Sequence, residues 1–343
     1  MKTIYKPIKF PRDGREHKHM IEWWYFNGHL KDKKGNRYSF MDCLFRVNVK
    51  KLDIPFASKA PFTNFYFAHS IVSDIRNKKT NRDIKDTVLV SKDSFKRPLL
   101  FVNYTDMVPV HGYGNSAIEE TKLFNYRIKN DNLDLNLKTT KKPLLENGKG
   151  FTNVCGNKSF YYSLTNMDAS GIITLGGKEI EVSGKAWMDH QWTNSASYSH
   201  DKWNWFSIQL DNNTEIVMTE FISGDKRDSW VDIMHPDGRQ ESLKDLKLEP
   251  SNVWQSKKTK EKYPLHWEIE IPEKKIKLSV NALIKNQEVH AGMAKYWEGP
   301  IEVTGTFNGI KVKGAGFMEL VGQISSYGIY SFEELKNIIK KII

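Results

Sequence analysis

Two short stretches gather ionisable and aromatic side chains in a way that could do chemistry. One is Trp187-Met188-Asp189-His190-Gln191-Trp192, the other Glu22-Trp23-Trp24-Tyr25. A carboxyl group beside an apolar wall has its pKa raised, because desolvation disfavours the anion, and it can then donate a proton near neutral pH. Aromatic faces stabilise a cation without capturing it. Asp189 and His190 are therefore the expected alternative proton donors, with Glu22 a further candidate acid. Trp187, Trp192, Trp23, Trp24 and Tyr25 are the expected binding walls, and His29 extends a polar strip with Asn27. A regular strand works against this grouping. Alternation puts His190 and Trp192 on the face of Val182 and Met188, and turns Asp189 and Trp187 away, unless a bulge near Gly184 intervenes or the group lies between two barrels.

Other catalytic templates fit poorly. His17 and His19 flank a lysine, but no third ligand follows at metal spacing and HEXXH is missing. No GxSxG elbow or glycine-rich nucleotide fingerprint is present, and the two cysteines, Cys43 and Cys155, lack the context of a nucleophile or CxxC site. His69 and Asp74 share no face of a regular strand, and Tyr296-Trp297-Glu298 reads best as packing. No metal and no nucleotide cofactor is implied.

The elements that must position these residues are strands. Ile180, Val182, Gly184, Ala186 and Met188 alternate with Glu181, Ser183, Lys185 and Trp187, and Leu265, Trp267, Ile269 and Ile271 repeat the period. Asn308-Gly309, between two alternating segments, favours the positive φ angles of a tight hairpin. Lys33-Lys34-Gly35-Asn36 makes a looser turn. Strands joined by turns predict antiparallel meanders rather than βαβ units. The exception is the C-terminus, where Ser331 and Glu334 have capping-box spacing and Phe332, Leu335, Ile338, Ile339 and Ile342 share a helical face.

The chain also repeats itself. Shifting it by 180 positions lays Trp23 on Trp203, Tyr25 on Trp205, Phe26 on Phe206 and Leu30 on Leu210. Two copies of one opening hairpin predict a duplicated barrel, and 343 residues suffice for two cores. Ten tryptophans suggest cavities in which indole N–H groups find partners. The formal charge of +11 is spread along the chain without a nucleic-acid-binding signature, so it predicts a solvated basic surface, with peripheral membrane contact as the secondary expectation. The N-terminal residues lack an apolar signal core and no stretch is long enough to span a bilayer, so the expected location is the cytoplasm.

These segments, together with Tyr161-Tyr162-Ser163, Trp203-Asn204-Trp205-Phe206, Tyr296-Trp297-Glu298-Gly299-Pro300 and GAGFMEL, resemble the AttH-like family, which includes carotenoid 1,2-hydratases (hydroxyneurosporene synthases). Thr193 stands where that family usually has glycine after DHQW. The resemblance implies an all-β fold of two tandem lipocalin-like antiparallel barrels, residues 1–193 and 194–343, ending in a short helix. It implies an apolar isoprenoid or lipid-like ligand and hydratase-like lyase chemistry, in which acid protonates an isolated alkene and water captures the cation. The alternatives are a non-catalytic carrier and a cofactor-free cyclase or isomerase.

Overall fold

The computed structural model describes residues 5–52, 59–106, 116–195, 201–291 and 294–322. The helix expected at the C-terminus lies outside them. Among the described residues no helix is long and apolar enough to cross a membrane. The chain divides into two compact units, Met1–Thr152 with Lys158–Ser195, and Asn153–Asn157 with Ala196–Ile343.

The first unit is a 13-stranded antiparallel sheet. Its strands are β1 (Ile21–Lys31), β2 (Arg37–Asn48), β3 (Asn64–Asp74), β4 (Lys79–Lys85), β5 (Val88–Val90), β6 (Phe101–Asp106), β7 (Ser116–Lys122), β8 (Asn125–Lys129), β9 (Leu133–Thr139), β10 (Leu144–Leu145), β11 (Phe151–Val154), β12 (Asn157–Leu175) and β13 (Lys178–Thr193). The order β4-β3-β2-β1-β13-β12-β9-β8-β7-β6-β5 curls until β3 meets β5, giving a nearly closed barrel. The second unit is a 10-stranded sheet that forms a half-barrel. It comprises β14 (Lys202–Leu210), β15 (Glu215–Ser223), β16 (Lys226–Met234), β17 (Gln240–Leu243), β18 (Lys247–Gln255), β19 (Lys262–Ile271), β20 (Ile276–Ala282), β21 (Glu288–Ala291), β22 (Ala294–Phe307) and β23 (Ile310–Val321).

Alternation sets the faces. Trp24, Phe26 and Leu30 of β1 join Phe40 and Leu44 of β2 and Ala186, Met188 and Trp192 of β13 in the barrel core. Each large apolar side chain so buried contributes about 1.5–3 kcal/mol. Gly28 sits where these strands crowd: a Cβ there would lie 2.5 Å from the Lys185 carbonyl oxygen and 2.6 Å from the Phe40 ring. The Asn308-Gly309 turn has φ of 50° and 80° and joins β22 to β23 in the tight hairpin expected from its sequence.

The repeat extends to register. β1 lies between β2 and β13, and β14 lies between β15 and β23 in the same order. Trp23 opposes Phe45 and Gln191, as Trp203 opposes Phe221 and Val321. The paired positions that flank Trp23 in β2 and β13 therefore have counterparts that flank Trp203 in β15 and β23.

Candidate functional site

The interior face of the first barrel carries the site on two adjacent rungs. Arg46, Glu22, Trp192 and Phe160 lie side by side across β2, β1, β13 and β12; Leu44, Trp24, His190 and Tyr162 form the next rung. Residues two apart on a strand face the same side, so the rungs stack directly. The segment before β1 crosses them. Phe10 packs its ring edge-on to Phe124 and Tyr162, at 4.7 and 4.8 Å. The Gly14 carbonyl accepts the Trp24 indole N–H at 3.3 Å. His17 is thereby laid flat on Trp192, ring centroids 3.8 Å apart.

Glu22 is the hub. Its Oε1 accepts from His17 Nδ1 at 2.7 Å and from His190 Nε2 at 2.8 Å. Its Oε2 accepts from the His17 backbone N–H at 2.9 Å and from Arg46 Nε at 3.0 Å. Arg46 also donates to the backbone carbonyls of His17 and His19 and to Asn64. Beyond His17, its Nε2 lies 3.3 Å from Asp13 Oδ1, and Asp13 is held by Arg12 and the Lys9 N–H. Beyond His190, its Nδ1 lies 3.3 Å from the Tyr162 hydroxyl.

Burial and hydrogen bonding set the protonation states. Burial pushes the Glu22 carboxyl up, but the bonds from His17 and His190 outweigh it and its pKa falls to about 2. Desolvation works against an imidazolium at His17, yet its two carboxylate partners outweigh it and raise its pKa. His190 has no exposed surface, and desolvation dominates there, lowering its pKa to about 4. At neutral pH the cluster thus holds ionised Asp13 and Glu22 beside a neutral His190, and the two carboxylates favour the imidazolium form of His17. Since Glu22 accepts from Nε2–H, the His190 Nδ1 is left to accept from the Tyr162 hydroxyl.

Of the residues singled out from sequence, Glu22, Trp24, His190 and Trp192 meet in this interior cluster. Trp24 and Trp192 flank His190, ring centroids at 4.9 and 4.8 Å. Trp23, Tyr25, His29, Trp187 and Asp189 occupy the opposite faces of β1 and β13. The ladder between these strands runs unbroken from Ile21–Thr193 to Lys31–Ser183, so no bulge at Gly184 turns Asp189 inward. Asp189 is buried on that outer face. Its carboxyl accepts from Tyr161, Ser163 and Trp187, each at 2.6 Å, and burial raises its pKa to about 6 against the lowering effect of those bonds.

Sequence reasoning set His17 aside for want of a third ligand at metal spacing, and did not single out Arg46, Asp13 or Tyr162 as site residues. The missing partner of His17 lies on β13, far along the chain. His17 Nδ1, Glu22 Oε1 and His190 Nε2 lie within 4.8 Å of one another, and among the described residues these are the ones that could hold a metal ion.

The second unit provides an internal control. The counterparts of Glu22, Arg46, His190 and Trp192 are Lys202, Ile222, Leu320 and Gly322, so none of these four is repeated. Asp189, by contrast, corresponds to Glu319, which accepts the Trp203 indole N–H at 2.8 Å. An acid facing outward at this rung belongs to both copies of the scaffold; the inward cluster belongs to one.

Comparison with known proteins adds relatives of the same fold. The chain is 23% identical over 244 residues to the dehydratase asqC of Emericella nidulans, covering 64% of this chain and 70% of that protein. It is 24% identical over 202 residues to kievitone hydratase of Fusarium solani subsp. phaseoli, covering 56% of this chain and 57% of the hydratase, a little over half its length. Among solved structures it resembles an AttH protein from Nitrosomonas europaea (TM-score 0.71, 23% identity, 93% of this chain and 98% of that one). It also resembles kievitone hydratase from Nectria haematococca (TM-score 0.70, 15% identity, 95% and 94% covered). The AttH-like family model matches residues 3–323, nearly the whole chain, and the protein belongs to that family.

Proposed function

We propose that the protein is a hydro-lyase, adding water to or eliminating it from an alkene-bearing apolar small molecule of isoprenoid type, with His17 as the proton donor. The observation that carries this is the state of the His17 ring. Nδ1 is engaged tightly by Glu22 at 2.7 Å, whereas Nε2 has only the looser 3.3 Å contact with Asp13. His17 keeps 14% of its side-chain surface while Glu22 and His190 keep none, so it is the member of the trio that a substrate can reach.

The chemistry balances without a further reactant. The Nε2 proton moves to an alkene carbon, leaving a tertiary cation and a neutral imidazole. Water then bonds to the cationic carbon and gives its proton to Nε2, which restores the imidazolium. Elimination is the same path reversed. Glu22 stays ionised throughout and holds the ring in place, with Arg46 fixing the carboxylate. Relatives that carry hydratase and dehydratase names support the reaction class, not the substrate.

The test is incubation of the purified chain with an acyclic isoprenoid alkene in oxygen-18 water, followed by mass spectrometry. A product heavier by one labelled water, lost in His17→Gln, is the expected result. A ligand that binds and is recovered unchanged would make the protein a carrier. Isomerised product without label would make it an isomerase or cyclase.

A further inference from the structure

We propose that His17, Glu22 and His190 also form a binding site for a divalent transition metal of the zinc class, with Asp13, Tyr162 and Arg46 holding the ligands in position. The two nitrogens and one oxygen come from the segment that leads into and opens β1 and from β13, and lie within 4.8 Å of one another. Two imidazoles and a carboxylate are a ligand set that zinc takes when one position stays open, and His17 is the one of the three whose side chain keeps some exposure.

The surroundings are those that a metal-ligating histidine needs. Such a histidine directs its other ring nitrogen to a carboxylate or another oxygen, which fixes its orientation. Here His17 Nε2 meets Asp13 at 3.3 Å, His190 Nδ1 meets the Tyr162 hydroxyl at 3.3 Å, and the second oxygen of Glu22 is held by Arg46 at 2.9 Å. His17 Nδ1 and His190 Nε2 are thereby both left toward Glu22 Oε1. Zinc ligands sit about 2.0–2.1 Å from the ion for nitrogen and about 2.0–2.2 Å for oxygen. At the tetrahedral angle such ligands stand about 3.3–3.4 Å apart, so the present contacts to Glu22 Oε1, 2.7 and 2.8 Å, need to open by about 0.6 Å.

Binding requires that no proton remain between the donors. His17 releases its Nδ1 proton and keeps the one facing Asp13, so the metal-loaded form lacks the imidazolium of the proposed reaction and is a separate state of the site. His190 moves its proton from Nε2 to Nδ1, where it donates to the Tyr162 oxygen. The dication then faces the Asp13 and Glu22 carboxylates. Arg46 draws on the same carboxylate, so this site is expected to bind more weakly than a closed structural zinc site.

The inference goes beyond the proposed reaction and is tested without it. Chain stripped with chelator is dialysed against zinc chloride and the bound metal measured by elemental analysis, with cobalt(II) absorption as a second reporter. Stoichiometric zinc is expected, abolished in His17→Ala and retained in the surface control His266→Ala. Asp13→Asn should weaken binding by about 10- to 100-fold, the usual effect of losing an outer partner, and serves if His17→Ala fails to fold. Absence of stoichiometric zinc, or equal binding in folded His17→Ala and Asp13→Asn, would overturn the assignment.

Discussion

Glu22 and His190 are 168 residues apart in the chain and 2.8 Å apart in the barrel, joined through a carboxylate that has no exposed surface. A buried carboxylate persists only where its partners offset the loss of water. Glu22 has His17, His190 and Arg46, and the N-terminal segment is tied to the barrel through the same oxygens.

Arg46→Ala should therefore destabilise the fold well beyond the loss of its contacts. It leaves Glu22 with one fewer positive partner and frees the carbonyls of His17 and His19. Breaking a buried pair from one side costs about 3–5 kcal/mol. Urea titration followed by tryptophan fluorescence measures it, and a cost within error of a surface arginine substitution would refute it.

A second buried acid makes stability depend on pH. Asp42, on the rung beyond Trp24, faces Ser70, Asn130, Asp83 and Lys85; burial raises its pKa from 3.8 to about 7, with Asp83 adding and Lys85 opposing. The folded state thus holds this proton more tightly than the unfolded one. Stability from Asp42 is full below pH 3.8 and is lost as pH rises to about 7. In Asp42→Asn this contribution to the slope disappears, and the variant should exceed the parent in stability at alkaline pH. Melting curves of both proteins across that range decide it, since other groups cancel in the difference.

Gly28 is expected to resist even alanine. The added methyl group would strike the Lys185 carbonyl, which is fixed in the β1–β13 ladder, and the ring of Phe40. Overpacking of this kind costs about 1–3 kcal/mol. Equal stability of Gly28→Ala in thermal unfolding would mean that the strands are less tightly paired than described.

The fold was legible because its signals are local. Period-two alternation, the Asn308-Gly309 turn and the repeated opening hairpin each sit within a few residues, and all specify antiparallel strands. The site was legible only in part. Asp189 and His190 are neighbours in sequence, yet a regular strand sends neighbours to opposite faces, so adjacency grouped residues that the barrel separates. His17 belongs with Glu22 and His190 because the N-terminal segment folds back over Trp192, a contact between distant elements that no spacing rule carries. Arg46 was hidden for the same reason: its register with Glu22 follows from strand pairing.

The central claim is that proton transfer takes place inside the first barrel, at His17, rather than at Asp189 on its outer face. Turnover of an isoprenoid alkene by His17→Gln and Asp189→Asn, each normalised to correctly folded protein by circular dichroism, tests it most directly. General acid–base groups contribute about 10²- to 10⁴-fold, so kcat should fall by that amount in His17→Gln with ligand affinity nearly kept, while Asp189→Asn stays close to the parent. Loss of turnover in Asp189→Asn, with His17→Gln fully active, would contradict the claim and place the acid on the other side of β13.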